Sequence, residues 1–197
     1  MCFNLKSSII SFSIGTLTGL YLFITKENEL KTIGLFIVIV TLIQLVEALI
    51  YYYENKNYRA FTKILSILLS LQGIGLMMAN NIFNQTKTSL IWVIFFLFIS
   101  LNVIILSLAK SFKNPDKFTC MNWDFIGLNK VLSKFLAIMY ISLFIWMFTR
   151  DSPIYRKYGL LLLLTFIYSY TIQTKDNSPS VWCLTSAIAS PIVFFLV

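Results

Sequence analysis

A carboxylate inside an apolar stretch is the most chemically suggestive residue of the chain. Glu47 lies in "TLIQLVEALIYYY", residues 41–53, and is the only charged residue there. A charged side chain at the centre of a bilayer costs about 2.5–3.5 kcal/mol on insertion scales, so such residues usually face the interior of a helix bundle. Gln44 lies three residues earlier, on the same face of a helix. The two side chains predict one polar patch.

Further polar side chains within other apolar runs can meet this patch. No Lys or Arg lies at comparable depth, so Glu47 has no intramembrane counter-ion in the sequence. Burial disfavours the charged form of a carboxyl group, so we expect a protonated Glu47 at rest, as a proton-coupled or cation-handling site requires. The pattern therefore favours an ion or small-solute channel or transporter, whose path is lined by Glu47, Gln44, Gln72, Asn102, Tyr140 and Tyr168.

Two other interpretations of the same residues stay open. A protonated Glu47 bonded to Gln72 or Asn102 would simply hold helices together, at about 0.6 kcal/mol per contact, and the chain would then be a structural or assembly protein of a membrane. A Glu/Tyr acid–base pair acting on lipid would make it an intramembrane enzyme, which needs a lipid-accessible cavity beside Glu47.

The absence of some residues and motifs excludes most enzyme classes. The chain contains no histidine, which excludes a Ser-His-Asp triad and His-bearing zinc sites. It contains no G-x-x-x-x-G-K-[ST] and no G-x-G-x-x-G phosphate-binding motif. Cys2 and Cys183 without a third ligand make a poor metal site. We therefore predict no catalytic residue, metal or cofactor.

The composition predicts a membrane protein. Of 197 residues, 58% are hydrophobic and only 12% are charged, against about 25% charged in an average soluble domain. The net charge of +8 would suit nucleic-acid binding in a soluble protein, but here cytoplasmic loops rich in Lys and Arg explain it. The predicted partner is the lipid bilayer, and nucleic acid is not expected.

Seven apolar runs approach the ~20 residues that a spanning helix needs. We therefore predict an all-α, polytopic bundle of about seven transmembrane helices in a single domain, residues 1–197. The long fourth loop interleaves apolar residues with Lys and Asp, which predicts an interfacial helix at about 118–132. The predicted spans are 8–24, 32–53, 62–79, 89–109, 135–149, 158–172 and 181–197.

The distribution of basic residues predicts the orientation. The amino terminus and the loops after spans two, four and six carry ten Lys and Arg, against six on the opposite face. The positive-inside rule then places the amino terminus in the cytoplasm and the carboxyl terminus outside. Cys2, Trp182 and Cys183 fall on the cytoplasmic face. The glycan acceptor pattern Asn84-Gln85-Thr86 falls outside, in a short loop close to the bilayer, and we do not expect it to be modified.

Small residues and one proline indicate how the helices pack. Gly15 and Gly19 form a G-x-x-x-G pattern in the first span, which is typical of close helix packing; a homo-oligomer formed through this span is the alternative. Pro191 can kink the last span, and the hydroxyl of Ser190 can bond to the carbonyl that the proline leaves free.

Several of these residues resemble a family of small polytopic membrane proteins that begin Met-Cys-Trp. Its members occur in bacteria, algae and giant DNA viruses, and the family has no established activity. The resemblance implies a multi-pass helical architecture, and it assigns no reaction. Phe3 stands where the family usually has Trp, and Gly73 where Pro is expected. The matching positions are Met1-Cys2, Gln44 with Glu47, Gln72, Trp182-Cys183 and Pro191.

Overall fold

Six α-helices and a shorter helical segment make up most of the described chain. A computed structural model describes residues 5–25, 27–53, 58–84, 89–109, 130–172 and 185–195. No β-strand occurs in these residues, which confirms the all-α class for this part of the chain. The helices are α1 (Leu5–Phe23), α2 (Asn28–Tyr52), α3 (Tyr58–Phe83), α4 (Leu90–Ala109), α5 (Lys130–Phe148) and α6 (Pro153–Ile172), followed by the final segment Thr185–Phe195.

Each of the first six predicted spans coincides with a helix. Several helices begin or end up to five residues beyond the predicted bounds, because polar residues such as Glu29 continue the helix where the apolar run has stopped. The final segment covers part of the predicted span 181–197. Of the predicted interfacial helix, residues 118–129 lie outside the described residues, and residues 130–132 begin α5.

Within the part of the chain that the structure describes, two segments are long and apolar enough to cross a membrane. They are Asn28–Tyr52 and Lys63–Phe83. Three further apolar helical segments are shorter: Leu90–Leu106, Ile138–Phe148 and Thr185–Phe195. Length and composition alone do not distinguish a spanning helix from a buried helix of a water-soluble protein, so they give weak support for a membrane location.

The helix α2 lies at the centre of the packing. It contacts α1, α3 and α6, and its buried side chains, such as Leu30, Ile33, Ile43 and Ile50, cover more than half of its circumference, while the face that includes Leu42 and Leu45 is partly exposed. A helix that is apolar on all sides is expected to be buried. The helices α1 and α3 therefore pack against a central α2.

Glycines bring the backbones of α1 and α2 together. A Cβ on Gly34 would lie 2.5 Å from the carbonyl oxygen of Gly19, and a Cβ on Gly19 would lie 2.7 Å from that of Gly34. Both distances are shorter than a non-bonded contact, so only glycine fits there. A Cβ on Gly15 would collide with Thr41. The G-x-x-x-G pattern therefore packs α1 against α2 of the same chain. A homo-oligomer stays a prediction.

The final segment changes helix type at its proline. Its end, Ser190–Phe195, forms 3₁₀ turns. Pro191 has no N–H to donate to the carbonyl of Ala187, four residues earlier. The hydroxyl of Ser190 donates to that carbonyl instead, at 2.7 Å, as expected from the sequence. A Cβ on Gly15 would lie 3.3 Å from the Cβ of Ala187, so the segment packs against α1.

Candidate functional site

The helix α1 presents small and hydroxyl side chains to the bundle. Its buried residues recur every three or four positions, which places them on one helical face. They are Ser8, Ser11, Gly15, Thr18, Gly19 and Leu22. Because most of these side chains are short, α1 lies close to α2, and the hydroxyl groups are held within reach of polar side chains on α2.

One hydrogen bond joins the two helices at Gln44. The hydroxyl of Ser11 lies 3.0 Å from Gln44 Oε1 and 3.1 Å from the carbonyl oxygen of Ser8, and its single hydrogen serves one acceptor at a time. Gln44 is 0% exposed. Its Nε2 and the hydroxyl of Ser8 have no hydrogen-bond partner within the described part of the chain. A buried polar atom without a partner costs about 1–3 kcal/mol.

Glu47 lies one turn beyond Gln44 and is 1% exposed. The contacts of Ser11 with Gln44, of Thr16 with Thr41 and of Gly19 with Gly34 fix α1 and α2 as antiparallel neighbours. This register places Ser8 level with residues 45–49, and hence with Glu47. We refer to Ser8, Ser11, Gln44 and Glu47 as the seam cluster.

The seam cluster lies close to one end of the bundle. Glu47 comes five residues before α2 ends at Tyr52, and Ser8 comes three residues after α1 begins at Leu5. At 1.5 Å per residue these separations are about 7.5 Å and about 4.5 Å. The carboxylate is therefore deep enough to be buried, but only one or two helical turns separate it from the helix ends.

A second buried pair joins α3 and α5. The hydroxyl of Tyr140 donates to Gln72 Oε1 at 3.1 Å, and both side chains are buried. Gln72 Nε2, like Gln44 Nε2, has no partner among the residues that the structure describes. The bond between Thr32 and Asn84 and the contact of Gly75 with Ile39 set the register of α2 against α3. That register places Gln72 at the depth of residues 42–44, level with Gln44.

The other predicted path residues occupy different surroundings. Asn102 is partly exposed on α4 and donates from Nδ2 to the carbonyl of Phe98 in the same helix, at 2.8 Å. The side chain of Tyr168 is 52% exposed, so it points away from the buried polar groups. Cys2 and the pair Trp182-Cys183 lie outside the described residues.

A polar network that the sequence did not predict lies at the opposite end of α2. Asn84 Nδ2 lies 2.9 Å from Thr32 Oγ1, 2.9 Å from the Tyr155 hydroxyl and 3.1 Å from Asn80 Oδ1. Tyr155 in turn donates to Asn80 Oδ1 at 3.0 Å. We call these four residues the clamp network, because they tie α2, α3 and α6 together.

Aromatic packing encloses the clamp network. The ring of Trp146 meets that of Tyr155 edge to face with centroids 5.5 Å apart, and the guanidinium of Arg150 lies 4.9 Å from the Trp146 centroid. Tyr155 precedes the predicted span 158–172. Burial raises the pKa of Tyr155 to about 12, since the phenolate form loses its hydration. Its hydroxyl therefore stays protonated, and remains a donor, at neutral pH.

Sequence signals for the missed residues were present but incomplete. The three- and four-residue spacing of Ser8, Ser11 and Thr18 predicts a shared helical face, but only the glycines between them stood out. Asn80 and Asn84 are one turn apart on a helix, which places them side by side. Their partner Tyr155 is more than 70 residues away, and the sequence contains no signal for that pairing.

Two open grooves lie against α1. One, of about 540 Å³, runs between α1 and the final segment and is lined by Leu17, Tyr21, Leu30 and Phe194 among others. The second, of about 520 Å³, is lined by Leu5, Lys6, Ile9 and Ile10. Neither lining includes a member of the seam cluster.

Comparison of the chain with protein-family models, with curated proteins and with solved structures finds no match in any of the three. The resemblance to proteins that begin Met-Cys-Trp stays a prediction. Function must therefore be inferred from the chemistry of the buried polar groups alone.

Proposed function

We propose that the chain is a multi-pass membrane protein that carries protons or a small cation through a site at Glu47. The observation that supports this proposal most directly is the seam cluster. It combines a carboxyl group that is 1% exposed with a neighbouring glutamine whose amide nitrogen has no partner in the described residues. Such groups are costly to bury, and intramembrane ionisable residues commonly serve ion or proton pathways.

The distribution of apolar side chains supports the membrane part of the proposal. Exposed apolar residues recur every three or four positions along α5 and α6, while polar side chains such as Gln44, Glu47 and Ser142 are buried. Helices on a water-soluble surface show polar residues on that outer face, and large exposed apolar patches are rare on soluble proteins. A lipid environment suits these rows, which are Ile138, Ile141, Ile145 and Phe148 on α5, and Leu160, Leu164 and Ile167 on α6.

The helix α4 has a similar and longer row of exposed apolar side chains. Leu90, Ile94, Leu97, Leu101 and Ile105 are all exposed, and they lie three or four residues apart. We propose that α1 to α6 and the final segment each cross the bilayer, with the amino terminus in the cytoplasm. The seam cluster then lies near the cytoplasmic surface and the clamp network near the outer one.

The chemistry of the seam cluster suits a proton or a hard cation. A carboxyl group can take up and release a proton, and the oxygens of Glu47, Gln44 and the two serines are of the type that hard cations prefer. Among the described residues, Glu47 carries the only carboxyl group at this depth. Transport should therefore depend most strongly on its carboxyl group.

The test is flux into liposomes that contain the purified protein, under an imposed pH gradient and voltage. We expect Glu47→Gln, which keeps the side-chain volume but cannot ionise, to lower proton or cation flux at least about tenfold, a loss of about 1.4 kcal/mol or more in transition-state stabilisation. Glu27→Gln is the matched control, because Glu27 is exposed and its side chain makes no capping bond at the start of α2. Equal flux from the native chain and Glu47→Gln would contradict the proposal.

A structural role is the second candidate. The close approach of Gly19 to Gly34 and the bond between Ser11 and Gln44 favour it, since both fasten α1 to α2. This role predicts no flux from the native chain. It also predicts that Glu47→Gln keeps the native melting temperature, while Glu47→Ala lowers the free energy of unfolding by about 1–3 kcal/mol.

A further inference from the structure

We propose that Ser8 and Gln44 bind a water molecule between α1 and α2, and that this water passes protons between Glu47 and the nearby end of the bundle. The proton step rests on the proposed function of Glu47. The water site does not, because it follows from the unpartnered polar atoms alone.

Two buried polar atoms on facing helices need a partner. Gln44 Nε2 and the hydroxyl of Ser8 are fully buried, and neither is hydrogen-bonded within the described chain. Ser11 contacts both residues, since its hydroxyl is within 3.1 Å of the Ser8 carbonyl oxygen and of Gln44 Oε1. Both atoms therefore belong to one region of the helix interface.

The donor and acceptor properties of these atoms select water. The amide Nε2 only donates, whereas the serine hydroxyl both donates and accepts. A water molecule can accept from Nε2 and donate to Ser8, which gives it two of the two to four partners that buried waters have. A cation would face the N–H of the amide, and an anion would lie beside the carboxyl group of Glu47. A neutral molecule that is both donor and acceptor fits best.

The position of the site suits proton transfer. Ser8 is level with Glu47 in the antiparallel register, and it lies about 4.5 Å along the helix from the start of α1. When the water gives a proton to the carboxylate, it takes another from solvent at the helix end. The water is unchanged by this exchange, and one proton has moved to Glu47. Release of the proton follows the same steps in reverse.

The direction of the stability change in Ser8→Ala tests the water site. If a water joins Ser8 to Gln44, the substitution removes one of its partners, and we expect the melting temperature to fall by about 2–4 °C. If the site is dry, the substitution removes an unpartnered hydroxyl from the interior, so the melting temperature stays level or rises. A level or raised melting temperature would overturn the proposal.

A matched control and a double variant sharpen this test. Ser13→Ala is the control, because Ser13 is exposed on the same helix and its hydroxyl bonds to the carbonyl of Ile9; a fall as large as that of Ser8→Ala would overturn the proposal. In Gln44→Leu, which removes the other partner of the water, Ser8→Ala should have little further effect. Full additivity of the two substitutions would also overturn it.

Flux measurements separate this inference from the proposed function. If the water relays protons, Ser8→Ala should lower proton flux at least about threefold while Glu47 is intact, and unchanged flux would overturn the relay. If the native chain carries no flux, the proposed function and the relay both fail. The direction of the melting-temperature change still decides whether the water site exists.

Discussion

The two ends of α2 hold polar groups in contrasting states. At one end, the clamp network surrounds Asn84 Nδ2 with three oxygen atoms within 3.1 Å, more acceptors than its two hydrogens can serve. At the other end, the seam cluster contains two buried polar atoms without partners in the described residues. Thr32 and Gln44, which mark these ends, are twelve residues or about 18 Å apart along the helix.

This contrast suggests that the clamp network stabilises the fold and that the seam cluster serves function. Polar networks with all partners present stabilise a unique packing, whereas partly satisfied ones cost free energy. An unsatisfied buried group calls for an explanation, and a functional role or a bound water is one. We therefore expect substitutions in the clamp network to change stability without changing flux, and substitutions in the seam cluster to change flux.

The largest stability effect is expected at Asn84. Leucine has a similar volume but no N–H groups, so Asn84→Leu removes the donors that join Thr32, Asn80 and Tyr155. We expect the free energy of unfolding to fall by about 2–3 kcal/mol, measured by denaturation in detergent. Flux per folded molecule in liposomes should be unchanged. If Asn84→Leu keeps the native stability, or loses as much flux as Glu47→Gln, the two ends of α2 do not differ in the way proposed here.

A smaller effect that depends on pH is expected at Tyr155. Tyr155→Phe removes the bond to Asn80 and should cost about 1 kcal/mol at neutral pH. The pKa of Tyr155 is about 12 in the folded protein, above the ordinary value of about 10. Its protonated form therefore stabilises the fold fully below pH 10, and this stabilisation is lost as the pH rises towards 12.

Denaturation of the native chain and of Tyr155→Phe between pH 8 and 12 would check this prediction. The native chain should be about 1 kcal/mol more stable than Tyr155→Phe at pH 8. This difference should fall by about 2 kcal/mol between pH 10 and pH 12, so that Tyr155→Phe becomes the more stable of the two. A difference that stays constant with pH would mean that the hydroxyl of Tyr155 is hydrated rather than enclosed.

The smallest effects are expected at Asn102 and Tyr168. Asn102 is bonded within its own helix, and Tyr168 is largely exposed. Asn102→Leu and Tyr168→Phe should each change the free energy of unfolding by less than about 0.5 kcal/mol and leave flux unchanged. A clear loss of flux in either variant would restore the predicted path, in which both residues line the route to Glu47.

The sequence predicted where the helices lie and which polar residues they contain. Apolar runs indicated where the helices lie, and Gln44, Glu47 and Gln72 stood out as polar residues within those runs. The bond between Tyr140 and Gln72 joins two residues of the predicted path, although the sequence did not predict this pairing. The final helical segment also agrees with the sequence, because the hydroxyl of Ser190 donates to the carbonyl that Pro191 leaves free.

The direction in which side chains point could not be predicted in the same way. In a water-soluble helix, the polar face marks the outside, but here most helices are apolar on every side. The sequence therefore contains little that distinguishes Tyr140, which points inward, from Tyr168, which points outward. The sequence also contains no signal for the pairing of distant residues, as in the clamp network, where Tyr155 bonds to Asn80 and Asn84 more than 70 residues away.

The position of Asn84 has a consequence for the timing of folding. The glycan acceptor pattern Asn84-Gln85-Thr86 would receive its sugar on Nδ2, the atom that the clamp network surrounds with oxygens from three other side chains. Attachment of a bulky glycan there and assembly of α2, α3 and α6 are mutually exclusive. In a cell that places this end of the protein in a glycosylating compartment, modification of Asn84 and assembly of the helices compete in time. The fraction of glycosylated chains would then measure how quickly α6 reaches α2 and α3 after synthesis.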